Sequence, residues 1–243
     1  MLLALWSPKG GSGTSVVAAA LALVLARRGP ARLADLGGDQ AAIFGLSSES
    51  AHRPALGGLC AWLADGPTAP TERLDALALE AAPGLALLPW GVAAEFEPAP
   101  EAGAALAAAL LDGPDTVLDA GVVASRPAAQ AAAEVADASI VVVRGCYLAL
   151  RRAVGLPLVA RARGVVLVEE PGRAIGETEV AEILGRPVLA RVPIRPSVAR
   201  AVDAGVLPVR LPRLLSAPAV AVLDAVLGPD GRHQRQPGSG RAA

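Results

Sequence analysis

The chain has 243 residues, of which 53% are hydrophobic and only 2% aromatic, so it can bury a large core built mainly from aliphatic side chains. This composition excludes a globally disordered protein, and the formal net charge of −1 argues against a surface that is basic throughout. The two cysteines, Cys60 and Cys146, are too few for a disulfide framework and favour a reducing compartment.

The N-terminal segment does not predict membrane insertion or secretion. MLLALW contains no basic residue, and the apolar run 16–26 is much shorter than the ~20 residues that cross a bilayer. We therefore expect a cytoplasmic protein without integral membrane contact.

Short apolar runs alternate along the chain with alanine-rich segments. The runs predict strands at 2–6, 31–36, 85–88, 116–118, 139–143, 165–168 and 188–192. The other segments predict helices that include 16–28, 56–63, 102–111, 198–204 and 219–227. This order predicts an α/β fold with a doubly wound, mostly parallel sheet and helices on both faces. We expect one domain over residues 1–228 and a disordered tail at 229–243.

The most glycine-dense stretch, SPKGGSGTS at 7–15, lies between the first predicted strand and the first predicted helix. This arrangement favours phosphate binding, because glycines let consecutive backbone N–H groups face an anion and the helix N-terminus adds positive partial charge. Lys9 lies in this stretch and is the only lysine among the 22 basic residues. A single retained lysine indicates a position that requires a compact ammonium group.

Residues 9–15 resemble the deviant Walker A motif, K-G-G-x-G-K-[ST], of the ParA/MinD/CpaE ATPases. The resemblance implies a P-loop NTPase-type fold, ATP and Mg²⁺ as cofactors, and a homodimer that closes around nucleotide. It implies that Lys9 reaches the phosphates held by the partner protomer and that Ser15 binds Mg²⁺. The phosphate-binding residues implied are Gly10, Gly11, Ser12, Gly13, Thr14 and Ser15.

Later segments extend the resemblance over about residues 1–227. Asp35 matches the first aspartate of the family's second-strand motif, D-x-D-P-Q-G, and is implied to be catalytic. Asp119 ends a Walker B-like strand and is implied to position Mg²⁺ through water. Weaker matches are found at 85–91, 135–153 and 185–205.

Two positions depart from the family pattern. Thr14 stands where the family has its phosphate-binding lysine, and Gly37 stands where it has the aspartate linked to the attacking water. Phosphoryl transfer depends on positioning and electrostatic stabilisation, so these losses predict at most a slow ATPase. Glu169 and Glu170 replace an asparagine that often contacts adenine, which leaves the base preference open.

The resemblance implies a protein that positions cellular cargo, such as DNA, division components or pilus machinery. An alternative is a pseudo-ATPase scaffold that has kept the fold and lost nucleotide binding. A dinucleotide-binding oxidoreductase is disfavoured, because Val16 replaces the third glycine of its fingerprint and Arg151, not lysine, lies four residues after Tyr147.

Basic residues are concentrated in the C-terminal half. Between Asp137 and Glu169 there are five arginines and no acidic residue: Arg144, Arg151, Arg152, Arg161 and Arg163. Two interpretations stay open, namely solvated helix faces and a basic surface for nonspecific DNA or for an acidic protein cargo or adaptor.

Overall fold

The computed structural model describes residues 1–46, 57–91 and 97–228, without the side chains of 212–214. The expected tail at 229–243, together with His52 and His233, lies outside the described residues.

The described strands form one sheet in the order β3-β4-β2-β5-β1-β6-β7-β8. Every pair is parallel except β3 with β4, so the predicted doubly wound, mostly parallel sheet is confirmed. The strands are β1 (Leu2–Ser7), β2 (Ala31–Asp35), β3 (Leu79–Ala82), β4 (Leu85–Leu88), β5 (Asp115–Val122), β6 (Ala138–Arg144), β7 (Gly164–Glu169) and β8 (Val188–Pro193).

Helices connect the strands and follow the last one. They are α1 (Thr14–Leu25), α2 (Gln40–Ile43), α3 (Gly58–Ala64), α4 (Glu72–Leu77), α5 (Pro100–Leu111), α6 (Pro127–Val135), α7 (Tyr147–Val154), α8 (Leu158–Arg161), α9 (Glu177–Leu184), α10 (Pro196–Asp203), α11 (Leu207–Leu214) and α12 (Ser216–Leu227). Within the described residues, no helix is long and apolar enough to cross a membrane.

Two apolar cores lie on opposite faces of the sheet. On β1, Leu3 and Leu5 face the core that contains α1 and α12, whereas Leu2, Ala4 and Trp6 face the core that contains α5 and α6. Burial on both faces explains why the central strands are continuous apolar runs rather than alternating ones. The carboxyl ends of the parallel strands meet at one edge, where ligands bind in such sheets.

Some elements differ from the sequence prediction. β3 was not predicted, because LEAA is short and alanine-rich and becomes a strand only by antiparallel pairing with β4. The helices α2, α4, α9 and α11 also add to the predicted set. β5 is longer than predicted and continues three residues past Asp119 to Val122, so Asp119 lies within the strand rather than at its end.

Candidate nucleotide-binding site

The loop between β1 and α1 is shaped by glycine and by one serine. Gly11 and Gly13 have φ angles of +74° and +83°, in the left-handed region that favours glycine. The buried Ser12 hydroxyl donates a hydrogen bond of 2.7 Å to the carbonyl of Lys9 and closes the loop on itself. α1 then begins at Thr14 with no acidic residue in its first turn, so its positive end carries no side-chain charge of its own.

An open cleft of about 690 Å³ lies over this loop. The cleft brings together the six predicted phosphate-binding residues, Gly10, Gly11, Ser12, Gly13, Thr14 and Ser15. Gly37 after β2, Gly121 in β5 and Arg126 before α6 also line it. Lys9 is not among the lining residues, and its Nζ lies 3.5 Å from the carbonyl oxygen of Gly10.

Asp35 and Asp119 lie side by side beneath the cleft, because they are register partners on the neighbouring strands β2 and β5. Both are almost fully buried. The pairing of β5 with β1 is irregular at Ala120, where a bulge follows Asp119. Gly121 next to the bulge has a φ of +60° and donates its N–H to Asp119 Oδ1 at 3.1 Å. Bulges of this kind commonly redirect a side chain beside a functional site.

The loop after β2 binds both carboxylates. The backbone N–H groups of Gly38 and Gln40 donate to the two oxygens of Asp35 at 2.6 and 3.0 Å. The fully buried Gln40 side chain donates from Nε2 to Asp119 Oδ2 at 2.7 Å and to the carbonyl of Ser15 at 2.9 Å. Gln40 Oε1 is buried and has no hydrogen-bond partner among the described residues.

Burial governs the protonation of this pair. Desolvation, and then the neighbouring charge of Asp119, raise the pKa of Asp35 from 3.8 to about 7, although its backbone hydrogen bonds oppose the change. Desolvation also raises the pKa of Asp119, against hydrogen bonds from Gln40 and Ser15. No arginine or lysine of the described residues forms a salt bridge with either carboxylate. The negative charge of this buried pair is therefore neutralised only if a cation or a proton binds.

Comparison with known proteins identifies the fold of this chain. No protein-family model and no curated protein matches the sequence. Solved structures match nearly the whole chain, among them a ParA family ATPase from Chlorobium tepidum TLS, with a TM-score of 0.72 and 22% identity over 91% of this chain and 97% of that one. The chain has the fold of ParA- and MinD-type ATPases.

Two further structures support the same fold. The cell division ATPase MinD of Pyrococcus furiosus matches with a TM-score of 0.73 and 17% identity, covering 93% of this chain and 97% of that one. An ATP complex of an McdA variant from Cyanothece matches with a TM-score of 0.71 and 16% identity, covering 97% and 98%. At these identities the ParA/MinD likeness establishes the fold.

The donor groups in the cleft fit Mg²⁺. Asp119 Oδ2 and Ser15 Oγ lie 2.9 and 3.3 Å from one point, the position that a Cβ on Gly37 would occupy. A hydroxyl and a carboxylate, completed by water and phosphate oxygens, suit an ion that keeps most of its ligands outside the protein. No cluster of three or more metal-binding His, Cys, Asp or Glu side chains exists in the described part of the chain. A metal at this point would therefore take most of its ligands from outside the described part of the chain.

The sequence alone assigned no role to four residues around this site. Gln40 and Trp90 fell inside quoted motifs, but their contacts join segments far apart in the chain. Gly121 carries a local signal, since a glycine two residues after a strand aspartate is typical of a bulge or tight bend. Arg126 carries no local sequence signal, because it is one of many arginines in the chain.

Proposed function

We propose that this protein binds ATP with Mg²⁺, dimerises around the nucleotide and positions cellular cargo, with slow hydrolysis or none. One observation carries the proposal: the glycine loop, the N-terminus of α1, Ser15 and Asp119 meet in a single cleft beside a buried carboxylate pair. Backbone N–H groups at a helix N-terminus bind phosphate, and adjacent hydroxyl and carboxylate groups hold its metal.

Each residue of the loop then has a distinct task. The backbone of residues 10–14 surrounds the phosphates, and the Ser12–Lys9 hydrogen bond keeps that backbone in its binding shape. Ser15 would hold Mg²⁺ directly and Asp119 would hold it through water, and the ion would supply charge neutralisation of the phosphates. Asp35 supports the loop after β2 through its two backbone hydrogen bonds.

Lys9 acts across a two-fold interface in this proposal. Lys9 is only partly buried, and its exposed ammonium group contacts the loop's own carbonyl at Gly10, not the carboxylates beneath the cleft. A lysine on the rim is able to extend towards phosphates held by a second protomer. Nucleotide binding would thereby favour the dimer by mass action.

Slow hydrolysis follows from the packing at Gly37. A Cβ at this position would lie 2.9 Å from Asp119 Oδ2 and 3.2 Å from its Cγ. The loop leaves no room for an aspartate side chain that would orient an attacking water. With Thr14 also in place of the expected lysine, two electrostatic contributions to phosphoryl transfer are missing.

The cargo surface includes α7. Arg151 and Arg152 are exposed there, beside Tyr147 and Leu148, whose side chains are 67% and 56% accessible. Basic side chains flanked by exposed apolar ones suit an acidic protein adaptor or the backbone of DNA.

The test combines calorimetry with light scattering. A non-hydrolysable ATP analogue with Mg²⁺ should bind saturably and convert monomer to dimer. Lys9→Ala should keep the monomer's affinity and lose the dimer, while Arg28→Ala, three residues after the end of α1, should change neither. Loss of monomer binding in Lys9→Ala would mean that Lys9 acts on nucleotide in its own protomer.

The second candidate is a pseudo-ATPase scaffold that does not bind nucleotide. The observation in its favour is that Gln40 already donates to Asp119 and that Gly37 packs against the same carboxylate, so the protein fills part of the metal's surroundings itself. Absence of heat at high micromolar nucleotide and unchanged mass would favour this scaffold over the nucleotide-dependent dimer.

A further inference from the structure

The fixed charge of the cleft is negative. Asp39 and Asp203 line it, and the buried pair Asp35 and Asp119 lies beneath. Among the described residues that line the cleft, Arg126 is the only basic one. A polyphosphate entering this cleft needs positive charge, and Thr14 at the start of α1 provides none.

Arg126 is held by two contacts. It lies between the 3₁₀ turn Val123–Ser125 and α6, in an extended conformation with φ −136°. Its guanidinium donates to the carbonyl of Leu36 and lies 5.9 Å from the ring centroid of Trp90. A guanidinium has five N–H donors in a rigid fork, so the bond to Leu36 leaves others for a second acceptor.

These contacts anchor the guanidinium at one particular end of the cleft. Leu36 immediately precedes Gly37. A Cβ at Gly37 would lie 2.9 Å from Asp119 Oδ2 and 3.3 Å from Ser15 Oγ, so these two oxygens face this part of the cleft. In nucleotide sites, a hydroxyl and a carboxylate of this kind would hold a metal that neutralises the terminal phosphates. Arg126 therefore lies at the end where the terminal phosphate belongs.

We propose that Arg126 binds the terminal phosphate of a nucleoside triphosphate and makes this cleft prefer triphosphate to diphosphate. This inference rests on the proposed function, because it requires that nucleotide occupy the cleft. Trp90 and the Leu36 carbonyl act as its positioning groups, and they reduce the side-chain entropy that the arginine loses on binding.

The test measures affinity against phosphate number. The non-hydrolysable ATP analogue, ADP and adenosine are titrated with Mg²⁺ into wild type, Arg126→Ala, Arg126→Lys and the control Arg28→Ala. Arg126→Ala should weaken binding of the triphosphate about tenfold or more, weaken ADP much less and leave adenosine unchanged. Arg126→Lys should recover part of the triphosphate affinity, because it restores charge without the bidentate fork.

Three results would overturn the inference, and they are separable from one another. Equal triphosphate affinity in wild type and Arg126→Ala would remove Arg126 from the site and leave the proposed function standing. An equal loss for all three ligands would make Arg126 a structural support of the 36–40 loop. Absence of nucleotide binding by wild type would overturn the proposed function together with this inference. Thermal unfolding of each variant establishes that the protein titrated is folded.

Discussion

Gln40 Nε2 lies 2.7 Å from Asp119 Oδ2, so a buried carboxylate at the centre of the sheet is bonded to a neutral amide. The same amide nitrogen donates to the carbonyl of Ser15 and so links the loop after β2 to α1. An amide supplies hydrogen bonds but no charge. The contact therefore fixes the orientation of the Asp119 carboxylate and leaves its negative charge to be neutralised by a cation or a proton.

Replacing Gln40 with leucine tests this contact. The substitution keeps the side chain's approximate volume and leaves Asp119 with one donor fewer, so the free energy of unfolding should fall by about 1–3 kcal/mol. Urea denaturation measures the change. Gln130→Leu is the control, because the Gln130 side chain donates to Glu134 one turn along α6, a pair worth roughly 0.2–0.5 kcal/mol. Similar losses in the two variants would contradict a special role for Gln40.

Gly37→Ala should destabilise the protein by about 1–3 kcal/mol, the usual cost of overpacking a tight site. The added Cβ would lie 2.9 Å from Asp119 Oδ2, and that carboxylate is itself held by hydrogen bonds. Gly29→Ala is matched to it, because among the described residues no atom beyond its two chain neighbours lies within 4 Å of a Cβ at Gly29. The midpoints of chemical denaturation give the comparison, and a Gly37→Ala protein as stable as wild type would refute the packing argument.

Gly37→Asp should not restore rapid ATP hydrolysis, although it recreates the family's aspartate. The new side chain would place a third carboxylate against Asp35 and Asp119, and like charges in a buried site repel strongly. Phosphate release assays on wild type and Gly37→Asp decide the matter. A rate increase of tenfold or more would show that the loop opens to admit the side chain.

The pKa of Asp35 predicts a pH dependence of stability in metal-free buffer. Between pH 4 and 7 the unfolded chain releases the Asp35 proton near its ordinary pKa of 3.8, while the folded chain keeps it until about 7. The folded state then binds more protons, so the contribution of Asp35 to stability is fully present at low pH and is lost as pH rises through 7. Asp35→Asn should flatten that part of the profile, and Asp112→Asn, at an exposed carboxylate, should preserve it. Parallel profiles for wild type and Asp35→Asn would exclude this titration.

If α7 binds DNA, the double substitution Arg151→Glu and Arg152→Glu should weaken binding and lower its salt dependence. Each lost phosphate contact should reduce the slope of log affinity against log salt by about 1, so the pair predicts a reduction of about 2. Arg195→Glu with Arg200→Glu makes the same charge change at exposed positions next to and within α10. Fluorescence anisotropy over several salt concentrations measures both pairs, and equal effects would exclude a local site on α7.

The parts of this protein that sequence predicts are those governed by neighbouring residues. The strands are predictable because a strand buried on both faces needs a continuous apolar run, as in LLALWS of β1. The glycine loop is predictable because positive φ at Gly11 and Gly13 is a local backbone requirement. β3 escapes prediction because LEAA has no preference strong enough to make a strand without its partner β4.

Tertiary structure alone decided which side chains surround the cleft. Gln40 and Asp119 are 79 residues apart, and Arg126 and Leu36 are 90 apart. These pairs meet because the sheet order inserts β5 between β2 and β1, which brings the ends of three distant strands together. Sequence was enough to predict the fold class and the glycine loop, because backbone conformation and the spacing of buried residues are local properties. The positions of the Arg126 guanidinium at the cleft and of the Gln40 amide on Asp119 depend on strand order, because contacts between distant segments are set by the packing of the whole sheet.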